Sequence, residues 1–204
     1  RWMSMRPLFP KAPGRSGLVI AALAVALAYW HYSPQGILRT VGARSDTSPV
    51  VSGSLRIDGP YFSDRDRIAD RLIAAINQTR SSLDVAVYSI TQPDLVAAIE
   101  SAHRRGVQVR VVSDEGQSFD RHSEISYLRS QGVPVRLSGG FRGRRSLMHN
   151  KFAVFDGSRV ETGSYNWTTS ANSYNYENAI FISDPEVAAR YEREFQHLWA
   201  QAYH

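Results

Sequence analysis

Apolar residues recur along the chain with two alternating periods, one suited to helices and one to strands. Ile68, Leu72, Ile73 and Ile76 fall at helical spacing between Asp64 and Arg80, behind Ser63, a residue type that caps helices. Leu83–Ser89 is a short, nearly continuous apolar run and predicts a buried strand. The alternation then repeats. A helix is predicted from about Pro93 to Arg105 and closed by Gly106; a strand over Val107–Ser113, a helix over His122–Gln131 and a strand over Val133–Leu137 follow. Such alternation predicts a sheet with mainly parallel pairing, because parallel neighbours are reached through crossovers. After a Gly- and Arg-rich stretch, Ser138–Ser146, the pattern changes to two strands closing tightly around Asp156-Gly157. Tyr176–Ser183 is the last predicted strand, and Asp184-Pro185-Glu186 opens a C-terminal helix to about Ala202.

The N-terminal pattern is different. Gly17–Trp30 is an apolar run preceded by Arg1, Arg6, Lys11 and Arg15, and no further charge interrupts the chain until Arg39. The basic flank, the short run and Ala26-Leu27-Ala28 fit a cleavable signal peptide; extended through Leu38, the run fits an uncleaved anchor equally well. The heavier charge before the run favours a cytosolic N-terminus with the domain outside. Four regions are therefore expected: a basic arm (1–16), a signal peptide or membrane anchor (17–32), a linker rich in Ser, Pro, Gly and Thr (33–49), and one folded domain (50–204). The expected location is exported, either periplasmic or secreted, or held at a membrane through residues 17–32.

A formal charge of +5 suggests an anionic partner until it is divided along the chain. Six of the 24 cations but one of the 19 acids lie in residues 1–48, which leaves 18 of each in the domain. Any case for a polyanion must then rest on local charge. Ile125–Phe155 provides it, holding Arg129, Arg136, Arg142, Arg144, Arg145 and Lys151 with no acid. The absence of cysteine excludes disulfides and Cys-based zinc sites.

Lys151 stands out in a chain with 22 arginines and two lysines, of which it is the only one beyond the N-terminal arm. In a strand starting near His149, His149 and Lys151 face the same side with Cα atoms roughly 6.5 to 7 Å apart, within reach of one phosphate. If Asp156-Gly157 is a two-residue hairpin loop, Phe155 pairs with Ser158, and His149 and Lys151 lie opposite Ser164 and Thr162, with Asn166 diagonal. A three-residue loop would slip the register by one and put Tyr165 opposite His149. Neutral imidazole is a nucleophile, while Lys151, Asn166 and Ser164 are donors for phosphoryl oxygens as charge builds up. This chemistry requires no metal or other cofactor. The turn alone explains Asp156. Glu177 is placed to hold the imidazole tautomer, as a carboxylate does in triads, or to be a surface carboxylate. Arg142, Arg144 and Arg145 would track a phosphate backbone, with Phe141, Tyr165 and Trp167 either stacking on bases or packing in the core.

These residues resemble the signature of the phospholipase D superfamily, His-x-Lys-x4-Asp followed by Gly-Ser-x-Asn, met at His149, Lys151, Asp156, Gly163, Ser164 and Asn166. The resemblance runs from about Leu55 to the C-terminus, in the order seen in the family's small bacterial endonucleases, and more distantly in its mitochondrial cardiolipin hydrolases. It implies a phospholipase D-like α/β fold, a mixed, largely parallel β-sheet with helices on both faces. It further implies a phosphohistidine at His149, with Glu177 orienting the ring. Larger members hold two motifs, whereas this chain holds one. In-line displacement needs an acid opposite the nucleophile, so a homodimer sharing one site is expected. The first expected activity is a metal-independent endonuclease on DNA or RNA; the alternative is a phospholipase D-type hydrolase or transferase acting on phospholipids such as cardiolipin.

Overall fold

The apolar run at Leu83 forms β2 (Ser82–Val87), the junction on which the sheet is built. The computed structural model describes residues 53–142 and 146–203; the expected arm, apolar segment and linker lie outside the described residues, as do Arg144 and Arg145. All described residues fall within the unit Val50–His204. No helix among them is long and apolar enough to cross a membrane.

Thirteen elements occur in the order β1 (Arg56–Phe62), α1 (Ile68–Gln78), β2, α2 (Pro93–Arg104), β3 (Gln108–Asp114), α3 (Glu115–Ser118), α4 (Ile125–Ser130), β4 (Val135–Ser138), β5 (Lys151–Phe155), β6 (Arg159–Gly163), α5 (Thr169–Ser173), β7 (Asn178–Ser183) and α6 (Pro185–Gln201). One seven-stranded sheet has the order β1-β7-β6-β5-β2-β3-β4. It is mixed. The largely parallel pairing expected is corrected: parallel pairing is confined to β2-β3-β4, whose connections pass through helices, while β2-β5, β5-β6, β6-β7 and β7-β1 are antiparallel. Of the later connections only that between β5 and β6 is too short for a crossover; β6 and β7 are joined through α5 and still pair antiparallel.

Helices cover both faces. Side chains alternate across each strand, so Leu83, Val85 and Val87 point into one core with Leu72 of α1, Ile99 of α2 and Leu128 of α4. Ala86, Phe152 and Val160 point into the other, against Ala188 and Phe195 of α6. The expected start of α6 is realised: Pro185 opens it, and the Asp184 carboxylate accepts from the N–H groups of Glu186 and Val187. Arg110 fastens α6 to the sheet, donating to Asp84 at 2.7 and 2.8 Å and to Glu192 at 3.2 Å beside the Phe195 ring.

Two local expectations are corrected. The β5–β6 loop holds three residues, Asp156, Gly157 and Ser158, so Phe155 pairs with Arg159 and Phe152 with Thr162. Asp156 and Gly157 both have positive φ, 50° and 61°, and the Ser158 N–H closes this turn on Phe155 O, but the strand ladder pairs Phe155 with Arg159, which leaves Ser158 in the loop. The register is thereby slipped by one. Ser63 does not cap α1; Arg67 occupies the cap position, and Ser63 bonds the segment before β7.

Candidate active site

His149 and Lys151 stand at one end of the sheet, where β2, β3 and β4 finish and β5 begins. The Tyr88 N–H donates to Asn150 O at 2.9 Å, which continues the β2–β5 ladder one step beyond the strands and fixes the backbone between them. Buried Asp114, ending β3, accepts from the Met148 N–H at 3.0 Å and the Gln117 N–H at 3.1 Å. One carboxylate thus holds the segment entering the motif and caps α3.

Lys151 is 8% exposed, and its Nζ lies 2.8 Å from His149 Nδ1, 3.1 Å from His149 Nε2 and 2.8 Å from His149 O. The same ammonium sits 5.1 Å from the Tyr88 ring centroid, and the Tyr88 and His149 rings lie 4.7 Å apart. Burial lowers the Lys151 pKa, while the charge of Glu177 works to raise it. The result is a desolvated cation against an imidazole, backed by an aromatic face. Tyr88 is a site residue that sequence reasoning missed; the available signal was an aromatic ending the otherwise aliphatic run Val85-Ala86-Val87.

Ser164 follows β6 where it meets β7 closely. A Cβ on Gly163 would collide with Asn178 O, so the motif glycine is required by packing, independently of chemistry. Ser164 Oγ donates to Glu177 Oε2 at 2.5 Å and accepts from the Asn178 N–H at 3.1 Å. Glu177 Oε1 accepts from Asn175 Nδ2 at 3.1 Å. Among the described residues, the imidazole nitrogens face Lys151 and the Glu177 carboxylate faces Ser164 and Asn175. Asn166 Oδ1 is buried with no partner among the described residues.

Other predicted residues lie elsewhere. Asp156 stands at the far end of β5, about 16 Å along the strand from Lys151, and accepts from the N–H groups of Arg80, Ser81 and Ser82 and from Ser81 Oγ. Burial works to raise its pKa, but these donors outweigh that and hold it below the ordinary carboxylate value. Thr162 lies opposite Phe152, not Lys151, as the slipped register requires. Tyr165 and Trp167 are fully buried, which removes them as base-stacking surfaces, whereas Phe141 is exposed with Arg142 over its ring. Glu161, opposite Ala153, is fully buried with neither carboxylate oxygen bonded, and burial pushes its pKa up to about 8. No cluster of three or more potential metal ligands occurs among the described residues.

Two openings lie at this end, one bordered by His149 itself and one by Tyr88, whose ring packs on His149. A polar groove of about 940 Å³ runs from Tyr88, Ser89 and Asn166 past Thr168–Ser170 to Arg121 and His122. A smaller opening of about 450 Å³ lies on the α6 side, bordered by Phe141, Leu147, Met148 and Leu198 together with His197 and Glu194.

The model of the family described as cardiolipin synthase, PLD-like domain, matches residues 72–199. The mitochondrial cardiolipin hydrolase of Xenopus laevis is 34% identical over 192 residues, covering 91% of this chain and 88% of that protein. In further curated relatives of the same name the matched part spans from 50% to 63% of their length. Among solved structures, the phospholipase D family member Nuc from Salmonella typhimurium superposes with a TM-score of 0.65 at 31% identity, over 73% of this chain and 95% of that one. NucT from Helicobacter pylori gives 0.66 at 27% identity, over 73% and 98%.

Proposed function

The chain belongs to the cardiolipin synthase, PLD-like domain family and is a phosphodiesterase of the phospholipase D superfamily; from that premise we propose that it cleaves nucleic acid through a phosphohistidine. The observation that carries this reading is the polar groove leading away from Tyr88 and Asn166. Its walls mix the carboxylates of Asp120 and Glu124 with Arg121 and His122 at the far end, while the end nearest Tyr88 and Asn166 holds hydroxyl and amide groups that suit a hydrated sugar-phosphate strand.

In the proposed reaction a ring nitrogen of His149 attacks phosphorus, the P–N bond forms and the P–O bond to the leaving group breaks. Lys151, Asn166 and Ser164 donate to the non-bridging oxygens as negative charge builds up. The leaving oxygen takes its proton from His149 of a second copy of the chain, because one motif supplies one imidazole and the in-line acid stands opposite. Water then attacks phosphorus, gives its proton to the second imidazole, and the P–N bond breaks. Glu177 acts as a positioning residue through Ser164, whose hydroxyl it already accepts. The side chains supply nucleophile, acid and charge, so no metal enters the scheme.

A second reading is supported by a specific surface. Phe141 and Leu147 are exposed at the smaller opening, exposed Phe119 lines an adjoining one that shares Leu147, and the curated relatives are named mitochondrial cardiolipin hydrolases, so a phospholipid is the alternative substrate. Incubating the purified protein with single-stranded DNA, plasmid, RNA and phospholipid vesicles in EDTA decides between them. Cleavage of nucleic acid is the expected result. Cleavage of lipid alone establishes the second reading, and loss of all activity in EDTA overturns the histidine mechanism.

A further inference from the structure

Tyr174 and Tyr176 are 83% and 90% exposed, yet the backbone on either side of Tyr176 is hydrogen-bonded. The N–H groups of Tyr174 and Asn175 both donate to Ser170 O, at 2.9 and 3.0 Å. Asn175 O accepts from Ser63 Oγ at 2.6 Å, and the Glu177 N–H donates to the same Ser63 oxygen at 2.8 Å. Glu177 O in turn accepts from the Ser63 N–H at 3.0 Å. Two large rings thus project into solvent from a segment whose main chain is held at Asn175 and Glu177, immediately before the carboxylate that bonds Ser164. No ring or cation among the described residues packs on either of them.

Exposing two large apolar rings costs solvation, and fixing their backbone in advance lowers the entropy lost when something stacks on them. Resting on the nucleic-acid reading above, we infer that Tyr174 and Tyr176 form a base-stacking platform that makes the enzyme select single-stranded over double-stranded substrate. In a duplex each base face is already covered by its neighbours, whereas an unpaired strand offers free faces spaced along its backbone. The adjacent Asn175 side chain donates to Glu177, which also accepts from Ser164, so the platform adjoins the site through one hydrogen-bonded chain. Tyr165 and Trp167, the aromatics of the motif, are in the core and take no part.

The test is cleavage of a short, non-self-complementary oligonucleotide and of the same sequence as a duplex, with the full chain. The double variant Tyr174→Ala/Tyr176→Ala should raise KM for the single strand by roughly tenfold per ring removed. The loss should fall on KM, with kcat close to wild type and with the preference for single strand reduced. Tyr174→Phe/Tyr176→Phe keeps the ring faces and should restore the wild-type preference. An unchanged KM in the alanine variant, when wild type does cleave the strand, overturns the platform alone. So does a phenylalanine variant as weak as the alanine one, or an alanine variant that sediments as a smaller species, since the rings would then cover a second copy. A wild-type enzyme that cleaves phospholipid and no nucleic acid overturns the nucleic-acid reading together with the platform.

Discussion

The two ends of the sheet are built from the same strands and differ in nearly everything else. At one end the connections Thr79–Ser81, Arg105–Val107, Gln131–Pro134 and Asp156–Ser158 are three or four residues long, and Asp156 ties one of them to β2 with bonds from three successive residues. At the other end the segments are long and carry His149, Tyr88, Ser164, Asn166 and Glu177, with exposed Phe119, Phe141, Leu147, Tyr174 and Tyr176 around them. One end closes the fold; the other presents groups to a substrate. The parallel strands β2, β3 and β4 all finish at the second end, in keeping with the tendency of open α/β sheets to bind ligands beyond the carboxyl ends of their strands.

The two ends should respond most differently to loss of the nucleophile. His149→Ala should lower kcat by about 10⁴-fold or more with the circular-dichroism spectrum and melting temperature little changed. Appreciable turnover by a well-folded variant would move the chemistry away from this end. Mixing His149→Ala with wild-type chains should reduce activity more steeply than dilution, and a linear loss would argue for independent protomers. A smaller loss, about 10²- to 10³-fold in kcat, is expected for Lys151→Arg, since a planar fork cannot sit where a point charge lies against both imidazole nitrogens and the Tyr88 face. Activity near wild type in that variant would show that charge alone suffices.

Glu161 separates stability from chemistry between the two ends. Its folded pKa is raised to about 8 by burial, above an ordinary value of 4.5. Below pH 4.5 the carboxyl is protonated in both states; as pH rises, the unfolded chain ionises first, so stability is lost until the folded group also ionises near pH 8. The loss is on the order of 3 kcal/mol by pH 7. Thermal melts of wild type should fall across that window, and Glu161→Gln should flatten the curve; parallel curves would contradict the assignment. The smallest effect is expected at the closing end. Asp156→Ala leaves several N–H groups without their acceptor and should destabilise by about 2 kcal/mol, measured by urea denaturation, while kcat of the folded enzyme is retained. A kcat loss comparable to that of Lys151→Arg would place Asp156 in the reaction.

Sequence pattern anticipated these elements unevenly, for physical reasons. The βαβ half was legible because buried strands and amphipathic helices have distinct periods, and the pairing of His149 with Lys151 followed from strand parity. Register was not, since Asp156-Gly157 has the same local signature whether or not Ser158 joins the loop, and that choice shifts every cross-strand pair. Edge strand β1 escaped because it is mostly exposed and contains Gly59-Pro60, which reads as a turn. Ser63 and Glu161 act through contacts or burial set by distant strands, and nothing near them in the chain encodes these; Tyr88 left only the weak signal of an aromatic at the end of an aliphatic run. Glu161 even opposes its strand, a carboxylate where an apolar residue fits the core.

In the proposed reaction His149 forms a covalent bond to phosphorus, and that bond can be trapped. Acid-free rapid quenching of a reaction on excess nucleic acid in EDTA, followed by intact and peptide mass spectrometry, should find a phosphoramidate on the peptide containing His149. The adduct should survive base, be lost in acid and be absent from His149→Ala. Steady turnover with no adduct on that peptide, or an adduct on another residue, would contradict the account.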